Sequence, residues 1–165
     1  MFVKFAEDMK VKFLLVGKTV GEYLREGIAL YQERIRHYVP FEIVEIPELK
    51  GVSAMSQEQI KNREGELILR NLRESDDVIL LDERGKRFRS VDWARHLEQR
   101  IAHARGDIVF VTGGSYGFSK PVYDRAASSL SLSDMTFSHQ LVRLIFVEQL
   151  YRAFTIIKGE PYHHE

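Results

Sequence analysis

The chain reads as an α/β protein: a mostly parallel sheet with helices on both faces. Three observations lead there. Short runs at residues 10–17, 77–82 and 108–112 are apolar almost throughout, as strands buried on both faces are. Segments with helical spacing alternate with these runs along the whole chain, the pattern of a parallel sheet with crossover helices. Helix start and stop signals fall between them, including Ser56 with Gln59 three residues on, a capping box.

The elements follow in order. Residues 10–17 read as a buried strand ending in Gly17. Thr19 with Glu22 makes another capping box, and a helix is predicted from there to Tyr38, before Pro40. Residues 41–46 carry Phe41, Ile43, Val44 and Ile46 between acids, a strand closed by Pro47. Residues 57–72 are predicted helical behind the Ser56 cap, and 77–82 form a buried strand. Ser90 is predicted to cap a helix carrying Trp93, Leu97 and Ile101. Residues 108–112 are a strand, and Ser119-Lys120-Pro121 opens a short helix with proline where it is tolerated. Residues 130–133 form a short strand, and 137–157 one long helix ended by Gly159-Glu160-Pro161.

Composition bounds the function. The 165 residues suit one domain, and 44% hydrophobic with 29% charged content is an ordinary globular balance. There is no cysteine, hence neither a disulfide framework nor a thiolate zinc site. Charges interrupt every apolar stretch before it reaches the length of a membrane span, and the N-terminus lacks a signal-peptide core, so a cytoplasmic location without membrane contact is expected. Lys+Arg and Asp+Glu both number 24, so the chain lacks the basic coat of a non-specific nucleic-acid binder.

In open α/β sheets ligands sit outside the carboxyl ends of the strands. Leu81-Asp82-Glu83, Thr112-Gly113-Gly114 and the run from Leu132 to Phe137 fall at such ends. The first strand end, Gly17-Lys18-Thr19-Val20-Gly21, is not a nucleotide fingerprint: a phosphate loop needs glycine where Lys12 stands. The "VFVTGGSYGF" loop lacks a basic residue until Lys120, which disfavours phosphate. Its glycines admit either a neutral or zwitterionic ligand against bare backbone or a tight turn needing positive φ.

The long helix is apolar around most of its circumference, from Leu141 through Phe154, which predicts a homodimer through residues 137–157. His139 with Arg143, and Glu148 with Arg152, are spaced four apart. They are either ordinary helix pairs or active-site cations held by a partner. Arg84, Lys86, Arg87 and Arg89 make either a charged turn or a contact for RNA phosphates. The closing Tyr162-His163-His164-Glu165 reads as a solvated end rather than a metal site.

"VFVTGGSYGFS", "LSLSDMTFSHQLVRLIFVEQLYRAF" and "PYHHE" together resemble the SPOUT-class methyltransferases that act on N3 of a pseudouridine in large-subunit (23S) ribosomal RNA. The resemblance runs from Met9 to Glu165 as one domain, leaving residues 1–8 as an extension or an upstream-start artefact. Ser115-Tyr116 stands where some members carry Pro-Glu, and His164-Glu165 where others carry a basic residue. The resemblance implies a C-terminal trefoil knot and S-adenosyl-L-methionine held by Leu81, Gly113, Leu132, Ser133, Asp134, Met135, Thr136 and Phe137. The neutral net charge leads to an expectation of action on the assembled 70S ribosome, and the tail, following the interface helix, is expected to complete the partner subunit's site. Methylating N3 requires loss of its proton, so Arg152 is expected to stabilise the uracil oxygens, Tyr162 to position the base and His163 to take the proton. The alternatives are a non-catalytic S-adenosylmethionine- or RNA-binding dimer and a SPOUT methyltransferase acting on tRNA.

Overall fold

The computed structural model describes residues 8–165; the extension expected at 1–8 lies, apart from Asp8, outside the described residues. Five parallel strands form one sheet in the order β2-β1-β4-β3-β5. They are β1 (Val11–Val16), β2 (Phe41–Ile46), β3 (Asp77–Arg87), β4 (Ile108–Thr112) and β5 (Ser128–Ser131). The helices are α1 (Glu22–Arg36), α2 (Gln57–Arg70), α3 (Ser90–Ala102), α4 (Lys120–Arg125) and α5 (Leu141–Ile157). A short 3₁₀ turn, Val52–Ala54, precedes α2.

Alternation along each strand splits the core in two, because successive side chains leave opposite faces. Phe13, Leu15, Ile79 and Phe110 join α1, α3 and α5 on one face, while Leu14, Val78, Leu80, Val109 and Val111 join Ile68 of α2 and Val122 of α4 on the other. Phe146 of α5 sits against Phe13 and Phe110, ring centroids 4.5 and 4.8 Å away. Such pairs add about 1 kcal/mol beyond area burial. The helices therefore cover both faces, as the apolar runs predict.

The Ser56 capping box forms: its hydroxyl accepts from Gln59 N–H at 3.1 Å, and Ser56 N–H donates to the Gln59 side chain at 2.9 Å. The box read at Thr19 does not form. Gly21, with φ of 100°, precedes α1 instead, and Thr19 is buried because Arg143 claims its hydroxyl. α2 ends at Arg70, short of Leu72, and α3 begins at Ser90, whose hydroxyl reaches Gln149 rather than capping. β5 lies at Ser128–Ser131, ahead of the expected 130–133.

The largest difference is β3. It continues past Asp82 to Arg87, with Lys86 and Arg87 pairing to Leu130 and Ser131 of β5 after an irregularity. The basic segment is therefore largely strand. Gly85 makes this possible, since a Cβ there would lie 2.6 Å from the Leu130 nitrogen.

The long helix starts at Leu141, not at 137, and packs against both α1 and α3 of its own chain. Its apolar circumference is thus mostly consumed internally: Phe146, Val147, Leu150, Ala153 and Phe154 are fully buried. Leu141 stays exposed and Ile145 only partly covered, the remainder available to a partner. Among the described residues no helix is long and apolar enough to cross a membrane.

Candidate functional site

A cleft of about 470 Å³ opens at the carboxyl ends of β4 and β5 and beside the stretch of β3 where its register to β5 breaks. This is the position that parallel sheets reserve for ligands, and the volume suits a small organic molecule. From β3 come Leu81, Asp82, Glu83 and Arg84; from the β4 loop, Thr112, Gly113, Gly114 and Gly117; from the segment after β5, Leu132, Ser133, Met135, Thr136 and Phe137. Seven of the eight residues named for cofactor binding thus line one cavity. Asp134 does not: it turns to an ion pair with Arg87, in a shallow groove beside the cleft.

The loop after β4 makes the expected tight turn with positive φ, closed by Gly117 N–H donating to the Gly114 carbonyl at 3.2 Å. Neither Gly113 nor Gly114 has positive φ; only Gly117, at 82°, takes the left-handed conformation that glycine permits cheaply. A Cβ on Gly113 would meet the Gly117 carbonyl and the Phe118 ring, both at 3.3 Å. One on Gly114 would collide with the carboxylate of Glu64 on α2. The bare backbone is needed first so that the loop folds closely on itself and on α2.

Glu64 of α2 stands behind the glycine loop, against Gly114, outside the cleft lining. Burial, and then the charge of Glu48, push its carboxyl above the usual carboxylate range, and its Oε1 is shielded without a partner among the described residues. Tyr123 of α4 was missed as a site residue. Its hydroxyl donates to Asp82, and burial followed by that hydrogen bond pushes it up to about 12. One tyrosine on a six-residue helix carries no pattern to find it by. The segment after β5 is shaped by its own serines: Ser131 Oγ donates to the Ser133 carbonyl at 3.0 Å, and Ser133 Oγ accepts from Met135 N–H at 2.9 Å.

The cleft carries both signs of charge, Asp82 and Glu83 beside Arg84, with apolar walls at Leu81, Leu130, Phe137 and Val142. This lining fits a zwitterionic ligand with a planar apolar part. His139 also lines the cleft, from the turn before α5. Its expected partner Arg143 goes the other way, buried against the end of β1.

The second polar group gathers further along α5. Glu148 accepts from Arg152 Nε at 3.1 Å and from its terminal nitrogen at 2.6 Å. Tyr162 donates to the same carboxylate oxygen at 3.1 Å, and its ring lies 4.8 Å from the guanidinium carbon. The other terminal nitrogen of Arg152 meets His163 Nδ1 at 3.1 Å. Arg152, Tyr162 and His163 are thus assembled around one carboxylate, with the tail folded back onto α5. Burial first, then a hydrogen bond with Tyr31 and the Glu148 charge, raise the Tyr162 hydroxyl above the ordinary phenol range. His164 is exposed, and Glu165 pairs with Arg89 at 2.8 Å. Among the described residues no group of three or more His, Cys, Asp or Glu is placed to hold a metal ion.

The two groups do not share a cavity. Val142 lines the cleft, whereas Arg152 stands ten residues along α5, about 15 Å at the helical rise.

A family model described as "Predicted SPOUT methyltransferase" matches residues 9–163. The Ribosomal RNA large subunit methyltransferase H of Parabacteroides distasonis is 50% identical over 157 residues, 95% of this chain and 100% of the relative. The protein of that name from Phocaeicola vulgatus is 51% identical over 157 residues, again 95% and 100%. That of Cytophaga hutchinsonii is 49% identical over 156 residues, 94% of this chain and 100% of its own.

Proposed function

This chain belongs to the SPOUT methyltransferase family, and from that premise we propose that it methylates N3 of a pseudouridine in large-subunit ribosomal RNA, with S-adenosyl-L-methionine as donor. The observation that carries this reading is the cleft at the ends of β4 and β5 and the register break in β3, lined by seven residues expected there on other grounds. Leu81, Gly113, Leu132, Ser133, Met135, Thr136 and Phe137 would hold the donor. Asp82, Glu83 and Arg84 offer charges complementary to its amino, sulfonium and carboxylate groups. When bound, S-adenosylmethionine supplies a methyl carbon made electrophilic by its sulfonium. The C-terminal segment would carry the family's trefoil knot.

The remaining work belongs to the chain's own residues. N3 of a pyrimidine is a nucleophile only as its proton leaves, and the charge then spreads to the flanking carbonyl oxygens. Arg152 is permanently charged and held in orientation by Glu148, so it can meet that charge without reorganising. Tyr162, its hydroxyl tied to Glu148, would position the base, and His163 stands next to Arg152.

These groups sit away from the cleft of their own chain, so a homodimer in which each tail completes the partner's cleft is part of the reading. The partly covered apolar rim at Leu141 and Ile145 would join that interface. Net neutrality favours a preformed ribosomal surface in the cytoplasm over naked RNA, because shape rather than bulk charge must supply recognition.

The test is mass-spectrometric mapping of ribosomal RNA from a strain lacking the gene. One large-subunit pseudouridine should lose its methyl group and regain it on complementation. Intact ribosomal RNA together with a missing tRNA methyl group would move the substrate to tRNA. Mixed dimers of Gly113→Val and Arg152→Ala subunits should recover activity that neither variant shows alone.

A further inference from the structure

We infer that His163 acts at the target base as a neutral hydrogen-bond donor through Nε2–H, and not as the group that takes the N3 proton. The inference rests on the proposed pseudouridine reading and deepens it. Its ground is one contact. The Arg152 guanidinium stands 3.1 Å from His163 Nδ1. A guanidinium only donates. The nitrogen it meets must therefore present its lone pair, which means that Nδ1 carries no proton. A neutral imidazole has one N–H, so here it lies on Nε2.

The rest of the cluster holds this arrangement. Glu148 takes Arg152 through Nε and one terminal nitrogen, leaving the other terminal nitrogen for His163. Tyr162 lies under the guanidinium and donates to the same carboxylate. For His163 to accept a proton at Nδ1 it would have to give up Arg152 and place a second cation beside the first. To accept at Nε2 it would first have to move its own proton to Nδ1, directly against an Arg152 N–H. Both routes break the contact that orients the ring.

The donor is also without employment among the described residues. His163 Nε2 is shielded from solvent and has no hydrogen-bond partner among them. A buried N–H without an acceptor is costly, and an acceptor that reaches it as the tail shifts onto the base would relieve it. A pyrimidine carbonyl oxygen beside N3 is such an acceptor, and it becomes a stronger one as the ring loses its proton. The step then balances without a protein base. The N3–H bond breaks, its proton passes to water, and the electron pair stays on the ring. Arg152 and the His163 Nε2–H hold the resulting anion, which is the nucleophile.

Two variants and a spectrum test this. Glutamine can place an amide N–H where Nε2 stands but cannot act as a base in this range. On ribosomes lacking the modification, His163→Ala should lose about 100-fold in turnover, as for loss of one oxyanion donor. His163→Gln should recover at least about tenfold of that. Nitrogen-15 spectra of the free protein, at a pH where imidazoles are neutral, should show His163 protonated on Nε2, with that proton slow to exchange. Arg152→Ala should remove the slow exchange. A His163→Gln protein as inactive as His163→Ala, or an Nδ1–H tautomer, overturns the inference. Wild-type protein that binds S-adenosylmethionine but methylates no ribosome overturns the substrate reading instead, while the spectrum still decides the tautomer.

Discussion

Arg143 on α5 donates to the carbonyl of Gly17, at the end of β1, over 3.0 Å and across 126 residues of sequence. The same guanidinium reaches the Val16 carbonyl at 2.8 Å and the Thr19 hydroxyl at 3.0 Å, and the residue is only 1% exposed. The strand end is thereby closed by a side chain, where a helix cap was expected. Replacing Arg143 with alanine strands two buried carbonyls. It should lower unfolding stability by about 3 kcal/mol in urea titration. Lysine, with one compact ammonium, should recover less than half. A denaturation midpoint equal to wild type would remove the role.

Glu64 sets up a pH effect. Its carboxyl is raised in the fold by burial, then by the charge of Glu48. A group with a raised folded value stabilises the native state while protonated, and that contribution is lost as pH rises through the folded value. At neutral pH Glu64 is therefore a burden on the fold. Glu64→Gln should melt above wild type at neutral pH, and the gap should close below the ordinary glutamate range, about 4.3. Calorimetric scans across that range decide it. A gap that widens toward acid contradicts the assignment.

Gly113 carries the link between loop packing and donor uptake. A valine there would press on the Gly117 carbonyl and the Phe118 ring, which a Cβ alone would approach to 3.3 Å. The loop must shift into the cleft it lines. Titration calorimetry should show S-adenosylmethionine affinity reduced at least about tenfold, with a stability loss of about 1–3 kcal/mol from overpacking. Unchanged uptake would separate this loop from the donor site.

Arg87 and Arg89 pair with Asp134 and Glu165, and all four side chains are more than half exposed. Such pairs are worth no more than about 1 kcal/mol, so phosphates can replace the carboxylates readily. Glu at both positions should leave the melting temperature nearly unchanged. It should weaken ribosome binding and flatten its salt dependence, by about one unit of slope per lost contact. Binding by filter retention at two salt concentrations reads this directly. An unaltered slope assigns the patch to the fold alone.

Much was legible because it is local. Runs such as residues 108–112 are apolar on both sides, so they had to be central strands, and β4 is fully buried. Ser56 and Gln59 satisfy each other within one turn, which no distant contact disturbs. The cleft-lining segments after β4 and β5 followed from alternation, since ligands gather at the carboxyl edge of any parallel sheet; the third segment lies within β3.

Other features belong to no local pattern. Thr19 has the composition of a helix cap, and only the arrival of Arg143 from α5 decides otherwise. The basic run through Arg87 reads as a turn until β5 pairs with it across Gly85. The chain folds Tyr162 and His163 back onto Glu148 and Arg152, and this fixes which nitrogen of the histidine carries its proton. Sequence by itself determined the class and the order of elements, because hydrophobic period and capping act over a few residues. Tertiary structure alone decided which polar groups meet, because a hydrogen bond depends on angstrom-scale placement of groups that can lie more than a hundred residues apart.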